Sequence, residues 1–499
     1  MALLAFAELV LGGSVAGVND GKLGGGSMSQ SEFRNRRGFL RSVAAFGAGL
    51  GVESVLRSAR SAVASTSELA GYASLEKPPN FNSGPAFERK SAMAAGKKPQ
   101  PIAWFPVMQG ATSQTQTQFR VCVESNRVFR YFVVDAGGGK REISPRSRFG
   151  VPTSQMVVDH LYVDGLEPGG LYQLEISRGT SSEKRWFSTM SPRSRAGDPL
   201  RVALISCMND RYESEQADAW DSVADMTPEL MIFNGDCCYV DQRSDGTVEG
   251  MWSRHLQTRL MLDVFKWDRL VPILTTWDDH DTGENDGNSS NPRLAPAAQY
   301  FDAMFGSDPV DGMMMSKGRS YSFDSHGMRF LLLDCRSSLS PTQVYSTSDE
   351  AWIFDQMRTS PGPVWLVNGT QFLGGYLIGA ESVEKSAPSQ MQRILSEASK
   401  LKVPMGIMSG DVHFSELMEI EPELLGYRSY EFTSSAIHSR TFPGQQFRSF
   451  NSRRVNSTSK NNFLALELVA PSSRRVDFEV ASLGVKRAEY FRLKSQISR

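Results

Sequence analysis

Between Ala103 and Thr189, apolar and polar residues alternate in short runs. Phe119, Val121 and Val123 point one way, and Val133, Val157, Leu161 and Val163 supply further short strands. The turn Asp164-Gly165-Leu166-Glu167-Pro168-Gly169-Gly170 feeds the run Leu171–Ile176. Short strands separated by Gly/Pro turns predict a small antiparallel sandwich. After Pro199 the pattern changes. Nearly continuous apolar runs, Val202–Ile205, Leu230–Phe233, Val271–Leu274, Phe330–Leu333, Val364–Val367 and Met405–Met408, predict strands buried on both faces. Between them lie amphipathic helical segments, among them Trp252, Leu256, Leu260 and Val264 at i+4 spacing and Met391, Ile394, Leu395 and Ala398. The alternating strands Phe463–Leu468 and Val476–Val480 close the region, and residues 489–499 read as a C-terminal tail. The pattern is that of a layered α/β domain without internal repeats.

Residues 65–100 are rich in Ser, Ala, Pro and Lys, show no periodicity and read as a linker. Ahead of them, Arg36-Arg37-Gly38-Phe39-Leu40 precedes a weakly apolar stretch, Val43–Leu50, and a small-residue site, Ala62-Val63-Ala64. This order resembles a twin-arginine export signal. Residues 1–64 are thus expected to be an export segment recognised by the twin-arginine machinery, and the mature protein to be periplasmic or extracellular. Met28 offers a more conventional start than Met1.

Composition narrows the functional classes. In 499 residues, 54 Lys and Arg face 55 Asp and Glu, a formal net charge of −1, which excludes nucleic-acid binding through bulk charge. After the N-terminal region no run of about 18 uncharged apolar residues occurs, so no stable membrane span is expected there. Five cysteines in so long a chain do not make a disulfide scaffold, and Cys237 and Cys238, being neighbours, are badly placed to bridge each other. For each cysteine the alternatives are packing and metal.

The residues just after each apolar run carry the chemistry. Ile205 leads to Cys207, Asn209 and Asp210, and Phe233 leads to Gly235-Asp236, Tyr239 and Asp241. Leu274 leads to Trp277-Asp278-Asp279-His280-Asp281, then Asn285 and Asp286. Leu333 leads to Asp334 and Arg336, Val367 to Asn368-Gly369, and Met408 to Ser409-Gly410-Asp411-Val412-His413. The carboxyl ends of strands in open α/β sheets line the binding crevice, so six strand ends deliver these groups to one rim. Four consecutive ionisable residues, Asp278 to Asp281, would repel one another in a plain loop, whereas a di- or trinuclear metal site accommodates them. A phenolate such as Tyr239, a carboxylate such as Asp236 and a thiolate from Cys207 suit a hard trivalent ion. Further carboxylate and amide oxygens suit Ca²⁺ or Mg²⁺. Zinc alone would predict more than the six histidines present. Of these, His160 reads as a surface strand residue, His255 as a solvated helix residue, His326 as a turn residue and His438 as structural.

These motifs resemble the alkaline phosphatase D (PhoD-like) family of metallophosphatases. The match is carried in family order by Gly235-Asp236-x-x-Tyr239-x-Asp241, Trp277-Asp278-Asp279-His280-Asp281-x-Gly283-x-Asn285-Asp286, Leu333-Asp334-x-Arg336 and Ser409-Gly410-Asp411-Val412-His413. The resemblance implies a fibronectin III-like sandwich at 101–192, followed by a four-layer α/β/β/α metallophosphatase domain at 198–488. It further implies ferric iron and Ca²⁺ in the site, with Zn²⁺, Mg²⁺ or Mn²⁺ as alternatives. Cys207, Asp236 and Tyr239 would hold the iron, with Asp236 bridging to a second ion. Asp279, Asp411 and His413 would complete the cluster, His280 would stand beside the leaving group, and Arg336 would face the phosphate. The implied activity is phosphoester hydrolysis by metal-bound hydroxide. Two alternatives are a phosphodiesterase or phospholipase D-like enzyme on the same scaffold and a non-catalytic exported metal-binding protein. The chain departs from the family in the Cys-Cys pair after Asp236 and in the short Ser/Asn-rich loop from Gly287 to Pro292.

Overall fold

The computed structural model describes residues 105–191, 196–242, 244–374, 381–444 and 451–499. The expected export segment at 1–64 and linker at 65–100 lie outside the described residues.

Residues from Val107 to Ser188 form two four-stranded antiparallel sheets. One full-length pairing joins Thr117–Glu124 to Met156–Val163, with Val121 opposite Asp159. Phe119, Val121, Val123, Tyr131, Val133, Leu161, Leu174 and Phe187 pack into one core between the sheets. The alternation in the sequence thus reports one face of each strand.

The remainder of the chain contains a six-stranded and an eight-stranded sheet. In the first, the parallel strands Ile273–Thr276, Leu230–Asn234 and Pro199–Ile205 continue into the antiparallel Phe463–Ser472, Arg475–Leu483 and Glu489–Ser498. In the second, Met328–Leu332, Val364–Val367, Met405–Ser409 and Ser429–Thr433 run parallel. Side-chain alternation explains the continuous apolar runs. Leu200, Val202 and Leu204, with Leu230 and Ile232, join the core shared by both sheets. Their neighbours Ala203, Ile205, Met231 and Phe233 join a second core with Trp220, Trp252 and Phe301 from helices Glu213–Met226, Val248–Met261 and Leu294–Phe305. The helices Thr347–Arg358 and Pro388–Ala398 contribute Ile353, Met357, Met391 and Ile394 to the first core. Among the described residues no helix is long and apolar enough to cross a membrane.

Two expectations are corrected. Residues 489–499 are no tail: Glu489–Ser498 pairs along its length with Arg475–Leu483 as the edge of the six-stranded sheet. Only Phe491 and Ile497 are buried in it, too few apolar positions to mark a strand in the sequence. His255 is fully enclosed rather than solvated, against the rings of Tyr300 and Phe305. Burial, then Arg259 and Arg254, push its pKa down to about 3.

Candidate metal centre

The strand ends converge because glycines let the two sheets approach. Gly235 holds φ +91°, and a Cβ there would stand 2.6 Å from Asp278 Cβ and 2.9 Å from Gly369 Cα. A Cβ on Gly410 would stand 2.6 Å from the Asn234 carbonyl oxygen. Gly235 N–H donates to Thr276 O (3.0 Å), and Gly410 N–H donates to Gly369 O (2.8 Å), tying neighbouring ends together. Immediately beyond these turns, Cys207, Asp236, Asp411 and His413 all adopt left-handed backbone angles, with φ of 56°, 53°, 73° and 57°. Such conformations are costly for side-chain-bearing residues and cluster where surrounding structure holds a functional group in place.

Three overlapping groups of ligand-type atoms result, each within 4.8 Å: Cys207, Asp236 and His413; Asp236, Asp279 and His280; and Asp278, Asp279 and Asp411. Asp236 belongs to the first two and Asp279 to the last two, so the groups form a chain. Tyr239 closes the first group. Its hydroxyl oxygen is 3.2 Å from Asp236 Oδ2, 3.1 Å from His413 Nε2 and 3.1 Å from Ser439 Oγ. Cys207 Sγ lies 3.0 Å from Ser435 Oγ and packs with Tyr239 and Ala436.

The electrostatics call for positive charge. Burial, with neighbouring carboxylates, pushes Asp236 and Asp411 well above the carboxylate range. Burial followed by Asp236 raises Cys207, and burial followed by Cys207 and Asp236 raises Tyr239. Asp279 goes the other way: burial opposes its charge, but Arg336 and His280 lower it. His413 is pushed down to about 4 by burial and by His280, so near neutral pH its imidazole is uncharged and offers a lone pair. Asp236 Oδ1 and Asp278 Oδ2 are buried without a hydrogen-bond partner. Acids held above their ordinary range, orphaned oxygens and a neutral imidazole in one place fit bound cations.

His280 and Asp281 divide the work of their loop. His280 Nδ1 is 2.9 Å from Asp241 Oδ1. Burial works against its charge, but Asp236, Asp241 and Asp279 raise its pKa to about 10. Asp281 instead accepts the backbone N–H groups of Cys238 (2.8 Å), Asp278 (3.0 Å) and Cys237 (3.2 Å), clamping its own loop to the one after Leu230–Asn234. Cys122, Cys237, Cys238 and Cys335 are buried free thiols that belong to none of the three groups, although Cys335 Sγ lies 3.4 Å from Asp278 Oδ1.

The structure therefore brings together Cys207, Asp236, Tyr239, Asp279, His280, Asp411 and His413, and it places Arg336 against Asp278 of the third group. Arg336 is 0% exposed, and its Nη2 is buried without a hydrogen-bond partner. Its Nε donates to Asp278, and its Nη1 donates to Glu381 (2.8 Å). Its charge opposes the rise of Asp278 and lowers Asp279. Asp278 was legible as part of the acidic run yet not separated from Asp281, because only the fold shows which carboxylate accepts backbone N–H groups. His438 is enclosed, with Nδ1 3.1 Å from Asn209 O. His160 is half-buried between Ser147 Oγ (3.1 Å) and Ala303 O (2.9 Å), so it ties the sandwich to helix Leu294–Phe305 rather than facing water. His326 occupies the turn after Tyr321–Ser325, as expected.

A cleft of about 570 Å³ opens onto the site, lined by Tyr239, His280 and His413 together with Arg211, Gln242, Asn285, Ser439, Arg440 and Phe442. Arg211 and Arg440 were not singled out in the sequence. Arg211 follows the strand end that carries Cys207, which was the available signal.

No protein-family model and no curated protein matches the sequence. Among solved structures the chain shares its fold with PhoD, at 16% sequence identity and a TM-score of 0.60 over 81% of this chain and 90% of that one. It also shares the fold of purple acid phosphatase PPD1 from yellow lupin (Lupinus luteus) seeds, at 13% identity and a TM-score of 0.55 over 80% of this chain and 75% of that one.

Proposed function

We propose that the chain is a metal-dependent phosphoester hydrolase of the PhoD-like kind, exported by the twin-arginine route, with a fibronectin III-like sandwich before a four-layer catalytic domain. One observation carries the reading: ligand groups of three chemical types overlap through a shared, partly unpartnered Asp236 at the strand ends of this fold.

Cys207, Asp236, Tyr239 and His413 would hold ferric iron, and Asp236, Asp278, Asp279 and Asp411 would hold Ca²⁺ beside it. When bound, such cations stabilise charge on the phosphoryl oxygens and acidify water at neutral pH. The chain's own residues do the rest. His280 Nδ1 stands 2.9 Å from Asp241 Oδ1, so its remaining ring nitrogen, when protonated, can deliver a proton to the departing alkoxide. Water adds to phosphorus, the P–O bond to the alcohol breaks, and the alcohol leaves with that proton.

The test uses protein purified from its own exported pool. Hydrolysis of p-nitrophenyl phosphate or its bis ester should be lost on chelation and regained with iron and calcium. Preference between the two esters assigns monoesterase or diesterase. His280→Ala should lower turnover of esters with poor leaving groups by about 10²–10⁴-fold and that of acidic phenols by less. A protein that binds these ions yet turns over neither ester refutes the reading. Export is tested separately: Arg36→Lys with Arg37→Lys should leave the protein in the cytoplasm, and undiminished export refutes the signal.

A further inference from the structure

The mouth of the cleft carries a charge pattern that metal-centred chemistry leaves unused. Its described lining residues include two arginines, Arg211 and Arg440, and no carboxylate. Elsewhere around the site, arginines are consumed by acids. Arg336 is held by Asp278 and Glu381, and Arg254 is held 2.6 Å from Asp210. Asp210 also accepts Thr258 Oγ1 (3.3 Å), so the acid next in sequence to Arg211 is already engaged. Both mouth arginines are exposed, and neither forms an ion pair among the described residues.

Arg440 is also held in place. Its guanidinium carbon lies 4.9 Å from the centroid of the Phe442 ring. That ring lies nearly parallel, at 19° and 6.0 Å, to the His413 imidazole. Phe442 keeps 39% of its surface exposed, unusual for a ring of its size, and is placed where it connects a ligand-type imidazole to a free cation. A guanidinium fixed on an aromatic face loses little freedom on meeting an anion, and its planar donors suit carboxylate and phosphate oxygens.

We propose that Arg211 and Arg440 form an anion subsite at the cleft mouth, so that the preferred substrates are phosphoesters bearing a second anionic group on the leaving alcohol. This rests on the phosphoester-hydrolase reading and names its substrate class. Binding energy from the remote anion orients the ester at the site without taking part in bond cleavage.

A matched pair of esters tests it: hexyl phosphate against 6-phosphooxyhexanoate, which differ in a terminal carboxylate. The metal-loaded wild-type protein should favour the carboxylated ester by about tenfold or more in kcat/KM, chiefly through KM, as for a charge-assisted hydrogen bond. Arg211→Gln and Arg440→Gln should each shrink that ratio, the double variant should bring it close to one, and Arg440→Lys should restore part of it. Equal kcat/KM for the two esters in the wild type, or a preference that survives in the double variant, overturns the subsite. Binding of the hydrolysis-inert pair hexylphosphonate and 6-phosphonohexanoate, measured by calorimetry, separates the two readings. A binding preference that depends on both arginines in a protein that cleaves neither ester refutes the hydrolase and retains the subsite.

Discussion

At Tyr239 one hydroxyl serves Asp236, His413 and Ser439 within 3.2 Å, in a position closed to solvent. Tyr239→Phe keeps the ring, whose centroid lies 4.1 Å from that of His280 at a tilt of 32°, and removes only that oxygen. Losing it should cost about 1–3 kcal/mol of stability while the fold survives. If the phenolate binds ferric iron, visible colour, iron content and activity should fall together, as absorption spectra and metal analysis of the variant would show. A colourless, iron-free and fully active wild-type protein would contradict this. His255 sets a different expectation. Both its ring nitrogens are buried without a partner, and its pKa lies at about 3 against 6.5 for an ordinary imidazole. The unfolded chain takes up a proton below 6.5 that the native protein refuses until about 3. Stability is therefore complete above 6.5 and declines as pH falls through that window, by about 1.4 kcal/mol per unit. His255→Leu should flatten the pH dependence of Tm between 6.5 and 4. An unchanged slope would show that other groups dominate acid unfolding.

Loops after parallel strands become a site only when something fixes their relative height. Here Gly235, Gly369 and Gly410 permit the approach, and Asp281 locks it with three backbone hydrogen bonds. Asp281→Ala should strand three buried N–H groups, lower unfolding free energy by about 2–5 kcal/mol in denaturant titrations and weaken metal retention. Asp281→Asn, which keeps one acceptor oxygen, should fall between. Equal metal retention by Asp281→Ala and wild type would mean that the glycine contacts suffice. Element type was legible in the sequence where a strand buried on both faces is a continuous apolar run, and not at the polar-rich Ser429–Thr433, which is equally buried. The runs Val202–Ile205, Leu230–Phe233 and Met405–Met408 fall within strands Pro199–Ile205, Leu230–Asn234 and Met405–Ser409. It failed at Glu489–Ser498, an edge strand whose alternation is made mostly of polar residues.

At the scale of the molecule, the sandwich is built into the layered region. Trp186 N–H donates to Asp268 O and Leu270 N–H to Trp186 O, both at 2.7 Å. Gln118 Nε2 donates to Asp308 O at 2.7 Å. Met108, Cys122 and Val158 from the sandwich belong to the same apolar cluster as Trp252 and Phe301. Buried Arg259 reaches Met108 and the Met304 carbonyl while packing on Phe265 and Phe305. Residues 105–499 should consequently unfold in one calorimetric transition, and a fragment lacking 105–191 should expose this seam and aggregate. Two separated transitions, or a stable soluble fragment, would show that the seam is weak.

The sequence by itself determined the strands written as apolar runs and the donors that follow each of them, because periodicity and strand-end position are local properties. It also kept Cys207, Asp236, Tyr239, Asp279, His280, Asp411 and His413 together as one set. Only the tertiary structure decided which charges meet. Arg336 and Asp278, 58 residues apart, form a buried pair, while Arg211 and Arg440, at the mouth, form no ion pair among the described residues. His255 was read from its helix, yet helix Leu294–Phe305 and the sandwich close over that face. Burial and charge pairing depend on distances between elements remote in the chain, and those distances are set by how the sheets stack.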